Sequence, residues 1–206
     1  MLQTHAVEPN TFELLKTLMT IQAIDPFFLV GGTALALQFG HRTSIDIDLF
    51  TTNEFRGSEL IDSLNNRHLN LTIVSEKPSM LITYINNVKV DFVKMGYPIL
   101  FEPLTDNGIR MLDIRDIAPM KLKAIAQRGS KKDFYDVYFL LNKLTLEEML
   151  NLFKEKFKQH EVFHIVKSLT YFEDAEQYAD PMVFHKNITW PFVKSEIRKA
   201  VNDFLK

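Results

Sequence analysis

Asp46 and Asp48 stand one residue apart in the apolar run Ile45-Asp46-Ile47-Asp48-Leu49-Phe50. Alternation along a strand sends both carboxylates to one face and Ile47 and Leu49 to the other. Two like charges so close repel unless a cation lies between them. A hard divalent ion with oxygen ligands suits that place, magnesium first and manganese as its substitute. Upstream, Phe27 to Val30 reads as a buried strand running into Gly31-Gly32-Thr33 and a short helical segment that Gly40 ends. Glycines at a strand-to-helix turn let backbone N–H groups approach an anion closely. Phosphate at the glycines and metal at the aspartates together describe a nucleoside triphosphate bound as its magnesium complex. The plainer alternative is a tight turn plus two solvated aspartates on an edge strand, which serves either piece alone better than the two in tandem.

Two further groups of residues carry chemistry. Asp91 lies in Val88-Lys89-Val90-Asp91-Phe92-Val93, the second strand of a hairpin turned at Asn86-Asn87, and that strand could run beside the one bearing Asp46 and Asp48. A solvated aspartate on an edge strand is the alternative. Farther on, Lys121 and Arg128 fall seven residues apart, two helical turns and roughly 10 Å along one face. Two cations so spaced could straddle a triphosphate, although a solvated helix stripe has the same pattern. Pro119 suits the first turn of that helix and Gly129 its C-terminal stop. Ser130 with Asp133 reads as a capping box opening the next helix, and Asp133 and Asp136 share a face. His160 and His164 have metal-ligand spacing without an acidic partner and read as surface residues.

These residues resemble a family. A glycine pair followed by Thr or Ser, with D-x-D on the next strand, is the signature of DNA polymerase β-like nucleotidyltransferases. The fuller pattern, Gly31-Gly32-Thr33-Ala34-Leu35 and then Arg42-x-Ser44-x-Asp46-Ile47-Asp48-Leu49-Phe50, is similar to the AbiEii/AbiGii branch of abortive-infection toxins. So is Lys121-Leu122-x-Ala124-x-x-x-Arg128, followed by Asp133-x-x-Asp136, and the later stretch Ser168 to Glu176. The resemblance spans about residues 28 to 175. It implies that Asp46, Asp48 and Asp91 hold the catalytic magnesium ions, with Asp91 helping to deprotonate the attacking hydroxyl. It also implies that Gly31, Gly32, Thr33, Lys121 and Arg128 contact the nucleotide and that Asp133 and Asp136 support the site. By that likeness the protein is a bacterial toxin with an antitoxin partner, transferring a nucleoside monophosphate to RNA, the 3′ end of transfer RNA in particular, or to a protein.

The elements that must position these residues follow from pattern. Asn10 reads as the cap of an amphipathic helix with Phe12, Leu15, Leu18 and Met19 on one stripe, and Thr51 to Asn53 as the cap of another carrying Leu60 and Leu64. Strands are expected over 69–74, 80–85 and 88–93, the last two joined by an asparagine pair that tolerates the positive φ of a hairpin turn. From Asp116 the period becomes helical. The expected fold class is α+β: a nucleotidyltransferase core of mixed or antiparallel sheet flanked by helices over residues 1–115, then a helical lobe over 116–206.

Composition sets the outer bounds. The 206 residues contain no cysteine, which excludes disulfides and thiolate metal sites and fits a cytoplasmic protein. No apolar run approaches the length of a membrane span, so no membrane role is expected. Net charge is −2, yet residues 110–132 hold seven basic side chains against two acidic ones, a stretch on which a polyanion could lie. A nucleotide-binding sensor without turnover, or a glycosyltransferase using D-x-D, are the rival readings. The glycine pair and the lack of a separate nucleotide-sugar domain disfavour the second.

Overall fold

Strand-forming runs rich in Val, Ile and Phe fill the first half of the chain and amphipathic helices the second. The computed structural model describes every residue from Met1 to Lys206. It falls into two units, one of Met1–Gly40 with Ser44–Asp113, the other of His41–Thr43 with Ile114–Lys206. No helix is long and apolar enough to cross a membrane.

The first unit contains α1 (Pro9–Leu18), β1 (Phe28–Val30), α2 (Gly31–Phe39), β2 (Ile47–Thr51), α3 (Gly57–Asn65), β3 (Leu71–Lys77), β4 (Met80–Ile85), β5 (Val88–Lys94), β6 (Leu104–Asp106) and β7 (Ile109–Met111). All seven strands join one mixed sheet in the order β3-β4-β5-β2-β1-β7-β6. β2 runs parallel to β5 and β1 parallel to β7, while β1 and β2 are antiparallel. A parallel pair needs a long crossover, and α3 with the β3–β4 pair supplies it between β2 and β5. β2 and β5 are therefore interior strands, so the edge-strand alternative for their aspartates falls away. Leu29, Ile47, Leu49, Val90 and Phe92 are fully buried, and Phe27 meets Phe92 edge-on at 5.6 Å between ring centroids. Asn86 and Asn87 both have positive φ, 50° and 65°, as a two-residue hairpin turn requires.

The second unit contains α4 (Ile114–Arg128), α5 (Lys131–Leu141), α6 (Leu146–Phe157), α7 (Phe163–Ser168), α8 (Glu173–Glu176) and α9 (Trp190–Phe204). Its aromatic core joins Phe134, Phe172 and Trp190, with centroids 5.1–5.7 Å apart. The Ser168–Glu176 stretch thus has a packing task, since Leu169, Phe172 and Ala175 are all buried. Gly129 ends α4 in the left-handed region at φ 56°, its N–H bonded to the Ile125 carbonyl.

Several boundaries differ from the sequence reading, each for a local reason. α1 starts at Pro9, and the Glu8 carboxylate caps it by accepting from the Thr11 N–H, displacing Asn10 from that role. α3 starts only at Gly57, because Thr51 Oγ1 accepts from Asn53 N–H in a turn rather than opening a helix. β3 is shifted to Leu71–Lys77 and carries a bulge between Ile73 and Ser75. Pro119 lies inside α4 rather than in its first turn; the helix begins five residues earlier. Ser130 makes no side-chain cap: the Asp133 N–H bonds to the Ser130 carbonyl, and the Asp133 carboxylate that would complete the box is drawn to cations. His160 precedes α7 and His164 lies within it, both exposed.

Lys156 on α6 reaches Asp116 on α4 at 2.5 Å, and both side chains are wholly buried. A buried ion pair is costly to halve, because the remaining charge keeps its desolvation penalty. Lys156→Met is expected to lower stability by about 3–5 kcal/mol, and Lys156→Met with Asp116→Leu to recover most of it. Equilibrium denaturant unfolding of the two variants beside the unaltered protein checks this.

Candidate functional site

Register brings the acidic residues together. Val30 on β1 is the partner of Asp48 on β2, and Asp48 is the partner of Asp91 on β5. Asp48 and Asp91 therefore lie side by side on one face of the sheet, with Ile47, Leu49, Val90 and Phe92 filling the other. Asp46 precedes β2 by one residue and keeps the same alternation, partly exposed while Ile47 is buried. Gly31 follows Val30 directly, at φ 69°, and a Cβ added there would run into the Asp48 carboxylate. The left-handed glycine and the acid strand are thus in contact across a corner where only glycine fits. α2 begins at this corner, and Val30 gives it no side-chain cap, so its first N–H groups are open to an anion.

Thr33 has a different task from its neighbours. It is buried, and its hydroxyl shares a hydrogen bond with Ser44 Oγ at 2.8 Å and donates to the Asp46 carbonyl. This ties α2 to the segment leading into β2 and fixes where Asp46 starts.

Asp91 is held by Lys89, two residues before it on the same face. Lys89 Nζ donates to Asp91 Oδ2 at 2.5 Å, while Asp91 Oδ1 is buried without a hydrogen-bond partner. Burial opposes the charge on Lys89, but Asp91, then Asp48 and Asp46, outweigh it and raise the ammonium above its usual value. All three carboxylates therefore act on one cation. As placed, no three acidic or histidine side chains close around a common point. The residues nonetheless suit a hard cation: three carboxylates, one orphaned oxygen, and a positive charge already drawn among them.

The second unit gathers the other candidates. Lys121 is buried between two carboxylates, 2.9 Å from Asp133 and 2.7 Å from Asp136. The Arg128 guanidinium grips both oxygens of Asp133, at 2.8 and 3.0 Å, with its side chain 55% exposed. Asp136 also receives Arg42 through Nε and Nη2, at 2.7 and 2.9 Å, and His41 Nε2 at 2.7 Å. His41 and Arg42 were not among the sequence candidates. Arg42 stood in the R-x-S-x-D pattern, but its partner lies 94 residues away, beyond the reach of local spacing. Burial would raise both aspartates, yet Arg42, Lys121 and the hydrogen bonds hold Asp136 well below the carboxylate range, and Lys121 and Arg128 lower Asp133. Lys121 is raised because Asp136 and Asp133 outweigh its burial. The basic stretch is thus partly consumed inside the protein, as Lys131 also pairs with Asp180 at 2.9 Å.

Likenesses to known proteins bear on both groups. Residues 13–204 match the family described as nucleotidyl transferase AbiEii toxin of type IV toxin–antitoxin systems. A protein of Aquifex aeolicus, described as uncharacterized, is 38% identical over 205 residues, covering 94% of this chain and 95% of its own. JHP933 of Helicobacter pylori aligns with a TM-score of 0.55 at 19% identity, over 97% of this chain and 95% of that one. MenT4, a nucleotidyltransferase toxin of Mycobacterium tuberculosis, aligns at 0.57 and 10% identity, over 95% and 86%. At such identities the two structures speak for the fold alone.

Two outcomes follow from this geometry. Gly31→Ala forces a side chain into a left-handed position, which costs about 1–2 kcal/mol, and displaces Asp48 as well; thermal melting and nucleotidyl transfer should both fall. His41 is depressed below 6.5, chiefly by burial, so the unfolded chain binds its proton first and stability drops as pH falls below 6.5. Asp133 and Asp136 contribute stability that is present above 3.8 and lost on further acidification. His41→Gln should therefore flatten the melting temperature between about pH 7 and about pH 5 while leaving the steeper acid limb in place, as melting across pH would read.

Proposed function

The chain belongs to the family of AbiEii nucleotidyl transferase toxins, and on that premise we propose that it is a magnesium-dependent enzyme moving a nucleoside monophosphate from a triphosphate onto RNA. Membership makes it a nucleotidyltransferase and the toxin of a toxin–antitoxin pair. The metal, the acceptor and the roles of individual residues are our reading. The observation that carries it is the row Val30–Asp48–Asp91 across three neighbouring strands, with Gly31 against the Asp48 carboxylate.

Asp46, Asp48 and Asp91 are the residues to hold the ion, with Asp91 Oδ1 the acceptor left unsatisfied by the protein itself. Bound there, magnesium supplies charge neutralisation to the phosphates and makes the acceptor hydroxyl easier to deprotonate. The glycine corner seats the phosphates on backbone N–H groups, and Thr33 keeps Asp46 in place from behind. The acceptor hydroxyl oxygen bonds to the α-phosphorus as the bond from that phosphorus to its bridging oxygen breaks. Pyrophosphate leaves, and the hydroxyl proton passes to a carboxylate, Asp91 by the family pattern. Phosphate contacts from Lys121 and Arg128 rest on that same pattern. Within their own unit the half-exposed Arg128 suits this better than Lys121, whose ammonium is already held by two acids.

RNA as acceptor draws support from the surroundings of Asp46. A cavity of about 310 Å³ opens beside it, walled by Asn10, Asn87, Lys89 and Tyr84, and Tyr84 is 44% exposed. An exposed ring and side-chain amides are the groups that stack on and hydrogen-bond to an unpaired base, such as the 3′ end of a transfer RNA.

Incubation with each α-labelled nucleoside triphosphate, magnesium and total RNA should label RNA. Asp46→Ala and Asp48→Ala should each cut transfer by about two to three orders of magnitude with the fold retained by circular dichroism. Label entering protein instead would reassign the acceptor, and no label in either would overturn the reaction.

A further inference from the structure

Lys89 is an unexpected residue to find among three carboxylates. A lysine at i, i+2 from an aspartate on an exposed strand is an ordinary surface pair worth little. β5, however, is an interior strand, and the Lys89 side chain is 37% and the Asp91 side chain 18% exposed. The ammonium engages only Oδ2 of Asp91, leaving Oδ1 buried and unsatisfied, and its field partners include Asp48 and Asp46 as well. One ammonium on a flexible stem thus partly offsets this acid set.

We propose that Lys89 is a stand-in cation: in the metal-free protein its ammonium holds Asp91 and offsets Asp46 and Asp48, and it gives up Asp91 when a divalent ion arrives. The idea rests on the metal reading above and deepens it. Three features fit such an exchange. Lysine makes a single-point contact on a flexible four-carbon stem, so it can be displaced, whereas a bidentate arginine would resist. The cavity beside Asp46 already counts Lys89 among its walls and gives the side chain somewhere to go. The charge the ion must overcome is one ammonium, and three carboxylates supply more attraction to a doubly charged ion than to a single one. Until exchange, the acid set stays ordered without collapsing into a wrong geometry or repelling itself apart.

The test is binding of manganese(II), followed by electron paramagnetic resonance and calorimetry on the full chain without nucleotide, so that no turnover is needed. Lys89→Met should bind manganese(II) roughly two- to fivefold tighter, the scale of a partly exposed ion pair that no longer has to be broken. Its metal-free melting temperature should fall, and added manganese should restore more of it than in the unaltered protein. Lys89→Arg, which keeps the charge and the fold, should bind the ion more weakly. A lysine that served only as structural support would give the opposite result in Lys89→Met, a folded protein with weaker or unchanged manganese affinity, and that would overturn the proposal. Asp91→Asn separates the two layers. Undiminished manganese binding in that variant sinks the metal reading itself, while weakened binding there with no tightening in Lys89→Met sinks only the exchange.

Discussion

Repulsion between neighbouring carboxylates in the middle of a sheet is the constraint from which the rest of the first unit can be understood. Asp48 and Asp91 cannot drift apart, because the β2–β5 ladder pairs every residue from Ile47 to Thr51 with one from Val90 to Lys94. Adjacent strands are about 5 Å apart, and two like charges at that distance cost about 3 kcal/mol at an effective dielectric of about 20. Backbone hydrogen bonds and the buried row beneath them hold the charges in place against that cost. Such an arrangement is stable only with positive charge supplied from somewhere, by a side chain or by a ligand. Within the protein itself, Lys89 supplies part of that positive charge to Asp91.

The second unit handles its charges in the opposite way. Asp133 and Asp136 are fully buried, but Lys121, Arg42 and Arg128 surround them and His41 donates a further hydrogen bond. Each carboxylate has at least two charged partners at hydrogen-bond distance, which is the condition under which buried ions are tolerated at all. Three cations more than match the two carboxylates, so this network needs no outside cation. It pins the His41–Thr43 segment to α5 and fixes the end of α4 beside the start of α5. The two acidic pairs look alike in sequence, D-x-D and D-x-x-D, and differ entirely in electrostatic state.

That difference marks how far the sequence could be read. Local relations were legible: the glycine corner, the alternation of Asp46 and Asp48, the asparagine hairpin and the Gly129 stop all depend on residues within a few positions of each other. The α+β class and the nucleotidyltransferase fold followed from these and from the family pattern. Relations set by tertiary contact were not legible. Nothing near Arg42 announces Asp136, and a lysine on an amphipathic helix carries no local sign of whether it faces solvent, as Lys123 partly does, or two buried acids, as Lys121 does. Proline is most at home in a first turn, but burial of Ile117, Ala118 and Leu122 carries α4 through Pro119. Glu8 carries no strong local signal, because glutamate is a less usual cap than the asparagine two residues later.

The corner at Gly31 shows why chemistry concentrates where these local rules are strained. A left-handed residue at the start of a helix would ordinarily be a defect, since it fixes the chain in a region that side chains avoid and leaves the first N–H groups uncapped. Here the missing side chain is what allows the Asp48 carboxylate to stand against the backbone, and the first N–H groups have no side-chain cap. The helix behind the corner is held independently, by the buried residues Ala34 to Leu37 and by Thr33 bonded to Ser44 and Asp46. Stability is thus supplied from the inner face of α2, which frees its N-terminal face from any structural duty. An anion at that face and a cation at the acids next to it would satisfy both defects together, and neither would be fully relieved by one charge alone.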